Sequence, residues 1–369
     1  MKHLNNEYEV NDAQYKRFHE KYNMIYRRTW DKSLSTYGKM FEQNIKNHIN
    51  SSKIGYSRID FSLVAAGWSI YENFPLAFTW EGKDINDIGY GTDWMQKKCN
   101  FENKELISRT IKKAAKFYGS SLVGIADINE KWIYKTGFVR PALMSEAESK
   151  MKVRKGEAPI SNLETPIDIP QDIKKVIVIA IEMDRDAIST APAQPAAAAA
   201  SLAYSKMAFI ITCLGDFIRN LGYRAIQCGN DTALSIPLAI DAGLGALGRN
   251  GLLITPEYGP RVRICKIFTD LPLISDQPNV PFIEHVKKKC NSCYKCAEVC
   301  ETGAISKDAP NFNNPTISNN PGVKKYYVNA EKCFEFWIEN SSDCGSCIAV
   351  CPFSKIKKFL SPSEFWNEK

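Results

Sequence analysis

The sequence predicts an α/β core followed by a small cysteine-rich module, and three observations predict it. Between residues 104 and 269, segments with apolar residues at helical spacing alternate with short apolar runs of strand type. One such run, Val176-Ile-Val-Ile-Ala-Ile181, is continuous and bounded by polar residues, the pattern of a strand buried on both faces. Eight of the twelve cysteines then fall in two runs, Cys290-x2-Cys293-x2-Cys296-x3-Cys300 and Cys333-x10-Cys344-x2-Cys347-x3-Cys351-Pro352.

The cysteine runs have the ligand spacing of two 4Fe-4S clusters in a ferredoxin-like domain. Three cysteines at i, i+3 and i+6 wrap one corner of a cubane, and the fourth points away to serve the other cluster. Crossed ligation therefore assigns Cys290, Cys293, Cys296 and Cys351 to one cluster, and Cys333, Cys344, Cys347 and Cys300 to the other. The wide gap from Cys333 to Cys344 makes Cys333 the irregular ligand of its set. The rival readings are zinc, which prefers separated CxxC pairs, and disulfides, which need an oxidising compartment.

In chain order, residues 1–103 read as an irregular N-terminal unit wrapping the core, with a charged helical start from Asp12 to Lys32. Its aromatics Trp68, Tyr71, Phe74, Trp80, Tyr90 and Trp94 serve core packing or line a pocket. The core spans 104–280. Glu105 to Tyr118 is a helix stopped at Gly119, and Ser121 to Ala126 a strand. Lys135 to Ile169 is loop-rich, and the Val176–Ile181 strand follows. A Pro- and Ala-rich stretch from Ala191 leads into a long helix ending near Gly222, with Pro195 tolerated in its first turn. A strand (Tyr223 to Cys228), a short helix (Thr232 to Ala242) and two strands (Leu252 to Thr255, Val262 to Thr269) complete the core. Residues 281–369 form the cluster domain.

Hydrophobic residues at 44% and charged residues at 24% are ordinary for a globular protein. A net charge of +7 suits an acidic protein partner or a membrane surface and does not mark a nucleic-acid binder. No stretch of about eighteen apolar residues stands out, so no membrane span is expected. Arg27-Arg28 is followed by Thr29-Trp30-Asp31-Lys32, not by an apolar segment, so it is not read as an export signal. The chain reads as cytoplasmic, and an exported form stripped of its leader would read the same. Cys99, Cys213, Cys228 and Cys265 read as small buried hydrophobes.

Gly243-Leu-Gly245-Ala-Leu-Gly248 fits GxGxxG, but a dinucleotide loop needs a strand before it and a helix after it. Here a helix precedes it, and Gly251, Pro256 and Gly259-Pro260 forbid a long helix afterwards. These glycines instead let backbone lie close to another chain segment or to a flat ligand. Three polar residues fall in the core region. Tyr204 shares a helix face with Met207, Ala208, Ile211 and Leu214 and points inward. Asn230 opens a strand-to-helix loop, and Arg263 sits on a strand. Pattern alone reads them as a satisfied core Tyr, a capping Asn and a surface Arg.

The stretch from Gly229-Asn230-Asp-Thr through Ala242-Gly-Leu-Gly245 to Gly259-Pro-Arg261-Val-Arg263 and Pro272 resembles the catalytic core of the corrinoid-dependent reductive dehalogenases. The likeness continues through both cysteine runs and, more weakly, through Tyr15-Lys-Arg-Phe-His-Glu-Lys-Tyr22. Epoxyqueuosine reductases share the cluster module and the Ala-Gly-Leu-Gly element, but usually lack the Gly-Asn-Asp-Thr and Gly-Pro-Arg-x-Arg signatures.

The resemblance implies a nitroreductase-like α/β core holding cobalamin without a covalent bond, reduced through the two clusters. It implies an oxidoreductase that removes halogen from an organohalide. Tyr204 becomes the proton donor, Arg263 the cation that lowers its pKa from about 10, and Asn230 the neighbour that fixes substrate or phenolate. Cobalamin contacts are expected from Asn230, Thr232, Ser235, Gly251, Leu252, Leu253, Thr255 and Tyr258. With only His3, His19, His48 and His285 and no DxHxxG element, no imidazole is offered to cobalt, which suits a base-off corrinoid. Glu301 stands where the first run usually has Pro, and the short length relative to respiratory members leaves a cytoplasmic, catabolic role open. The implied partners are a small organohalide and a low-potential donor of ferredoxin or flavodoxin type, or a membrane-linked one. No nucleic acid is expected, and a homodimer is compatible. The second-run cluster is taken as the outer one, and Trp337 as a contributor to pocket selectivity. Two other functions stay open: an epoxyqueuosine-type reductase acting on tRNA, and an electron-transfer subunit without corrinoid.

Overall fold

A computed structural model describes residues 9–73, 98–138 and 164–367. Phe74, Trp80, Tyr90 and Trp94 lie outside the described residues. Among the described residues eight strands follow in order: β1 (Leu122–Asp127), β2 (Thr136–Phe138), β3 (Glu164–Pro166), β4 (Lys175–Glu182), β5 (Ala225–Cys228), β6 (Ala246–Leu247), β7 (Leu253–Ile254) and β8 (Val262–Thr269). The main sheet has the order β1-β4-β8-β5 and every pairing in it is antiparallel. Two-stranded pairs β2-β3 and β6-β7 stand apart from it.

The apolar run on β4 needs no alternation because both sheet faces are covered. Ile177, Ile179 and Ile181 face one core cluster, shared with the long helix Gln194–Asn220. Val176, Val178 and Ala180 face the other, shared with the short helix Ser235–Asp241. All six are essentially inaccessible, so each face contributes hydrophobic stabilisation at roughly 25 cal/mol per Å² buried.

Among the described residues thirteen α-helices are numbered in chain order: α1 (Met24–Trp30), α2 (Tyr37–Asn50), α3 (Arg58–Gly67), α4 (Ser69–Asn73), α5 (Lys104–Phe117), α6 (Arg185–Ser189), α7 (Gln194–Asn220), α8 (Ser235–Asp241), α9 (Val280–Ser292), α10 (Lys295–Glu298), α11 (Ala330–Asn340), α12 (Ser346–Ala349) and α13 (Pro362–Trp366). The central α7 carries its proline in the first turn, where no backbone bond is lost. By length and composition it is apolar enough to cross a membrane, contrary to the expectation from the sequence. Two thirds of that apolar window is buried inside the protein, as befits a core helix.

The N-terminal unit lies along α7. Helix α3 opens with a capping box between Ser57 and Asp60. It approaches α7 so closely that a Cβ on Gly67 would fall 2.0 Å from Ser201 Oγ. The expected helix from Asp12 to Lys32 is α-helical only over Met24–Trp30. Upstream, Arg17 donates to the Ile133 and Tyr134 carbonyls at 3.0 and 2.7 Å, and Tyr15 donates to the Lys131 carbonyl. Those bonds hold the segment against the core. Of the four scattered cysteines, Cys228 and Cys265 are buried as expected, Cys213 is half-buried and Cys99 is exposed.

Two arginines of the core fix the cluster domain. Arg261 donates to the Ser354 and Met183 carbonyls and pairs with Glu182 at 2.8 Å. Arg249 donates to the carbonyls of Cys290, Ser306 and Asp308 at 2.8–3.0 Å. Its guanidinium lies against the rings of Tyr294 and Tyr326 at 4.6 and 4.0 Å. Gly259 (φ +58°) sits where a Cβ would strike the Phe353 backbone at 2.3 Å, so glycine is required at that junction. The GxGxxG segment follows α8 and runs into β6, so it is no dinucleotide loop. A Cβ on Gly245 would lie 2.1 Å from the Ile254 carbonyl, so this glycine serves close backbone approach.

Candidate active site

Helix α7, strand β8 and the loop after β5 bring Tyr204, Arg263 and Asn230 together. Tyr204 points off α7 into an aromatic bracket from the N-terminal unit. Trp68 stacks on its ring at 4.9 Å and 25°, and Tyr71 meets it edge-on at 5.2 Å. Arg263 reaches up from β8 and places its guanidinium carbon 5.4 Å from the same ring centroid. Asn230 Nδ2 donates to the Tyr204 hydroxyl oxygen at 2.6 Å. The phenol oxygen therefore accepts from Asn230, which leaves its own hydrogen directed elsewhere. Asn230 is exposed, so the hydroxyl sits at an open edge rather than in a sealed core. The satisfied core Tyr, capping Asn and surface Arg that pattern alone suggested are not what the fold builds.

Two side chains that support this group were not singled out from the sequence. Asp343 Oδ2 lies 3.4 Å from Arg263 Nη2. Burial pushes the Asp343 carboxyl up, and Arg263 pulls it back. On the opposite face of β8, fully buried Lys266 donates to the Gly229 carbonyl at 2.8 Å and to Ser235 Oγ at 3.1 Å. It pins both ends of the loop that presents Asn230. Burial lowers the Lys266 pKa, with Asp231 the largest opposing influence. A lysine inside the otherwise apolar β8 was the available signal for it; Asp343 gave none, because its partner lies eighty residues away.

The expected cobalamin contacts divide. Thr232 and Thr255 have no accessible surface, and Leu253 has almost none, so their side chains have nothing to offer a ligand in open space. Thr232 Oγ1 instead donates to Asp231, and Thr255 Oγ1 to the Gly259 carbonyl in its own turn. Ser235 is occupied by Lys266 but half-exposed, as are Gly251, Leu252 and Tyr258. Leu252 packs on the core cluster that also receives Tyr204. Arg263 Nε is buried without a partner among the described residues. An unpaired donor of this kind beside half-exposed polar groups fits an amide-fringed corrin ring or its substrate. His19, His48 and His285 are engaged elsewhere, with Thr136 and Glu164, with the Glu339 carbonyl, and with the Phe282 and Phe353 rings.

The cysteines influence one another mainly within the two sets read from the sequence, although Cys347 also lies in the field of Cys296. Cys351 lies in the field of Cys290, Cys296 and Cys293. Cys333 lies in that of Cys344 and Cys300, and Cys347 in that of Cys333 and Cys344 above all. Burial, reinforced by these neighbours, pushes Cys296 up to about 11 and Cys333 and Cys351 up to about 12. Buried thiols that resist ionising beside one another suit a cationic metal group. Among the described residues no group of three or more His, Cys, Asp or Glu is drawn in to the spacing of a single bound ion. Trp337 packs with Phe334 against α1 and α2 and is not part of the Tyr204 bracket.

Residues 163–273 match the family model described as "Reductive dehalogenase subunit", and residues 289–355 match "4Fe-4S dicluster domain". The tetrachloroethene reductive dehalogenase of Sulfurospirillum multivorans is 33% identical over 354 residues, covering 90% of this chain and 70% of that protein. A tetrachloroethene reductive dehalogenase of Desulfitobacterium hafniense is 36% identical over 326 residues, covering 79% and 54%. The fold matches a solved reductive dehalogenase, the subject of a B12-dependent mechanism, with a TM-score of 0.67 at 20% identity over 97% of this chain and 46% of that one. Epoxyqueuosine reductase of Bacillus subtilis matches a shorter stretch, 29% identical over 133 residues, 32% of this chain and 28% of that protein. An α/β core joined to a 4Fe-4S dicluster domain defines an oxidoreductase class. The chain belongs to the reductive dehalogenase family. It spans about half the length (54%) of the Desulfitobacterium hafniense relative.

Proposed function

We propose that this protein removes a halogen from an organohalide, R–X plus two electrons and a proton giving R–H and halide. The observation that carries this reading is the hydrogen bond from Asn230 to the Tyr204 hydroxyl under the Arg263 guanidinium. Asn230, Ser235, the Gly251-Leu252 backbone and Tyr258 would hold the cobalamin, which would supply the low-potential chemistry at the carbon–halogen bond.

The chain's own residues handle the proton. Tyr204 holds it on the phenol oxygen, with the hydrogen free of Asn230 and available to the carbon that loses halide. Once it leaves, the phenolate keeps the Asn230 N–H bond and gains the attraction of Arg263, both of which favour the charged form. Trp68 and Tyr71 restrict the ring and exclude water from its faces. Exposed Asn230 leaves a path for reprotonation from solvent.

Cys290, Cys293, Cys296 and Cys351 hold one 4Fe-4S cluster, and Cys333, Cys344, Cys347 and Cys300 the other. The order of the two favours the reverse of the sequence expectation. Asp343 precedes Cys344 and contacts Arg263, and Asn250, in the loop leading to Leu252, reaches the Cys347 carbonyl at 3.5 Å. The first-run set sits in an exposed stretch flanked by Lys289, Asn291 and Lys295. The second-run cluster is thus the inner one. A low-potential carrier is the donor. The test is halide release from a panel of organohalides with titanium(III) citrate, with and without cobalamin. Cobalamin-dependent release supports the reading, and none from any substrate by cobalamin-loaded protein contradicts it.

A further inference from the structure

Outside the acid group, the cavity with the most to say opens on the surface behind Cys351. It encloses about 460 Å³ and is lined by Cys351 itself, by the apolar Val299, Val350, Pro352, Ile356 and Phe359, and by Lys295, Glu298 and Ala349. Phe359 is 54% exposed at its rim, a large aromatic left in water beside a redox centre. The segments that bear this thiolate set are basic. Seven exposed lysines (287–289, 295, 355, 357 and 358) accompany three glutamates (284, 298 and 301) over residues 284–301 and 351–359. Lys355 is tied to the Pro256 carbonyl and Lys358 to Glu364. Lys295 and Lys357 have no ion pair among the described residues.

We infer that this cavity is the docking site of a small acidic one-electron carrier protein of ferredoxin type, with Phe359 as its apolar anchor. The inference rests on the reading of Cys290, Cys293, Cys296 and Cys351 as the outer cluster. An apolar centre set in a surface where lysines outnumber glutamates is the arrangement that steers an acidic partner and still releases it after transfer. Each docking moves one electron: the reduced carrier is oxidised as the outer cluster goes from the 2+ to the 1+ state. No proton or bond changes hands. Two dockings supply one dehalogenation.

The test uses the full chain with both clusters loaded, their presence established by iron and sulfide content, and no organohalide. Reduction by a small acidic two-cluster ferredoxin is followed as loss of cluster absorbance in stopped flow, against titanium(III) citrate as a small donor. The double variant Lys295→Glu/Lys357→Glu should lower the ferredoxin rate constant at low salt at least tenfold, flatten its salt dependence, and leave the titanium rate unchanged. Phe359→Ser should lower the ferredoxin rate severalfold and keep the salt dependence. A ferredoxin rate unaffected by the lysine reversals, or a wild-type rate that rises with salt, would overturn the inference. Because no halide is measured, these outcomes stand apart from the dehalogenation reading. A chain that holds no clusters would overturn both.

Discussion

Arg263 Nη2 lies 3.4 Å from Asp343 Oδ2, and the next residue after Asp343 is the cluster cysteine Cys344. One ion pair therefore joins the Tyr204–Arg263 group on α7 and β8 to the loop that carries Cys344. Asp343 offsets part of the charge on Arg263 and fixes which way the guanidinium faces. Asp343→Asn should leave Arg263 misaligned and cost about 1–3 kcal/mol of stability, less than a fully buried pair because both side chains keep some solvent contact. Turnover should fall at least tenfold with a lower melting temperature, and Asp343→Glu should recover part of the rate. Unchanged turnover in the Asn variant would show that the pair is incidental.

Asn230 donates to the Tyr204 oxygen, so reversing the polarity of that bond should be worse than deleting it. Asn230→Ala loses one hydrogen bond to a developing anion, about 1.5–3 kcal/mol or roughly ten- to a hundredfold in rate. Asn230→Asp replaces the donor with a negative acceptor that holds the Tyr204 proton and repels the phenolate. Steady-state halide release should rank wild type above Ala above Asp. Equal rates for the two variants would contradict the polarity drawn for this bond.

Trp68 stacks on the Tyr204 ring, a contact worth about 0.5–1.5 kcal/mol beyond its buried area. Trp68→Ala should free the ring and lower kcat, while Trp68→Phe keeps most of the restraint. A Phe variant as impaired as the Ala variant would point to the indole itself rather than to ring restraint.

Lys266 is buried beneath the loop that carries Asn230, and its pKa in the folded chain is lowered. Unfolding restores an ordinary value of about 10.4, so the unfolded chain binds this proton first as pH falls. Its contribution to stability is therefore greatest above pH 10.4 and is lost as pH drops towards the depressed folded value. Lys266→Met removes that dependence. The difference in melting temperature, wild type minus variant, should rise with pH through the alkaline window. A flat difference would mean that Lys266 keeps its charge in the folded state.

Much of this was legible in the chain, for identifiable reasons. The Val176–Ile181 run announces a strand buried on both faces, and the cysteine spacings announce a 4Fe-4S dicluster domain. Periodicity aimed Tyr204 inward but was silent on what it would meet. Trp68, Asn230 and Arg263 reach it from segments 26 to 136 residues away; resemblance to a family joins Asn230 and Arg263 to it, and nothing in the sequence joins Trp68. The antiparallel order of the sheet, the loss of the expected Asp12–Lys32 helix to side-chain bonds with the core, and the burial of Thr232 and Thr255 are tertiary outcomes. No local pattern encodes them. Lys266 is visible in the sequence as a charge in an apolar strand, but its partners Gly229 and Ser235 are not.

The most direct measurement is halide release by Tyr204→Phe, loaded with cobalamin and both clusters and driven by titanium(III) citrate. The substitution removes one oxygen and keeps the ring between Trp68 and Arg263. Turnover should fall by at least a hundredfold, with cobalamin content, iron content and melting temperature near those of the wild type. Turnover at the wild-type rate in that variant would contradict the account, because the proton would then come from elsewhere.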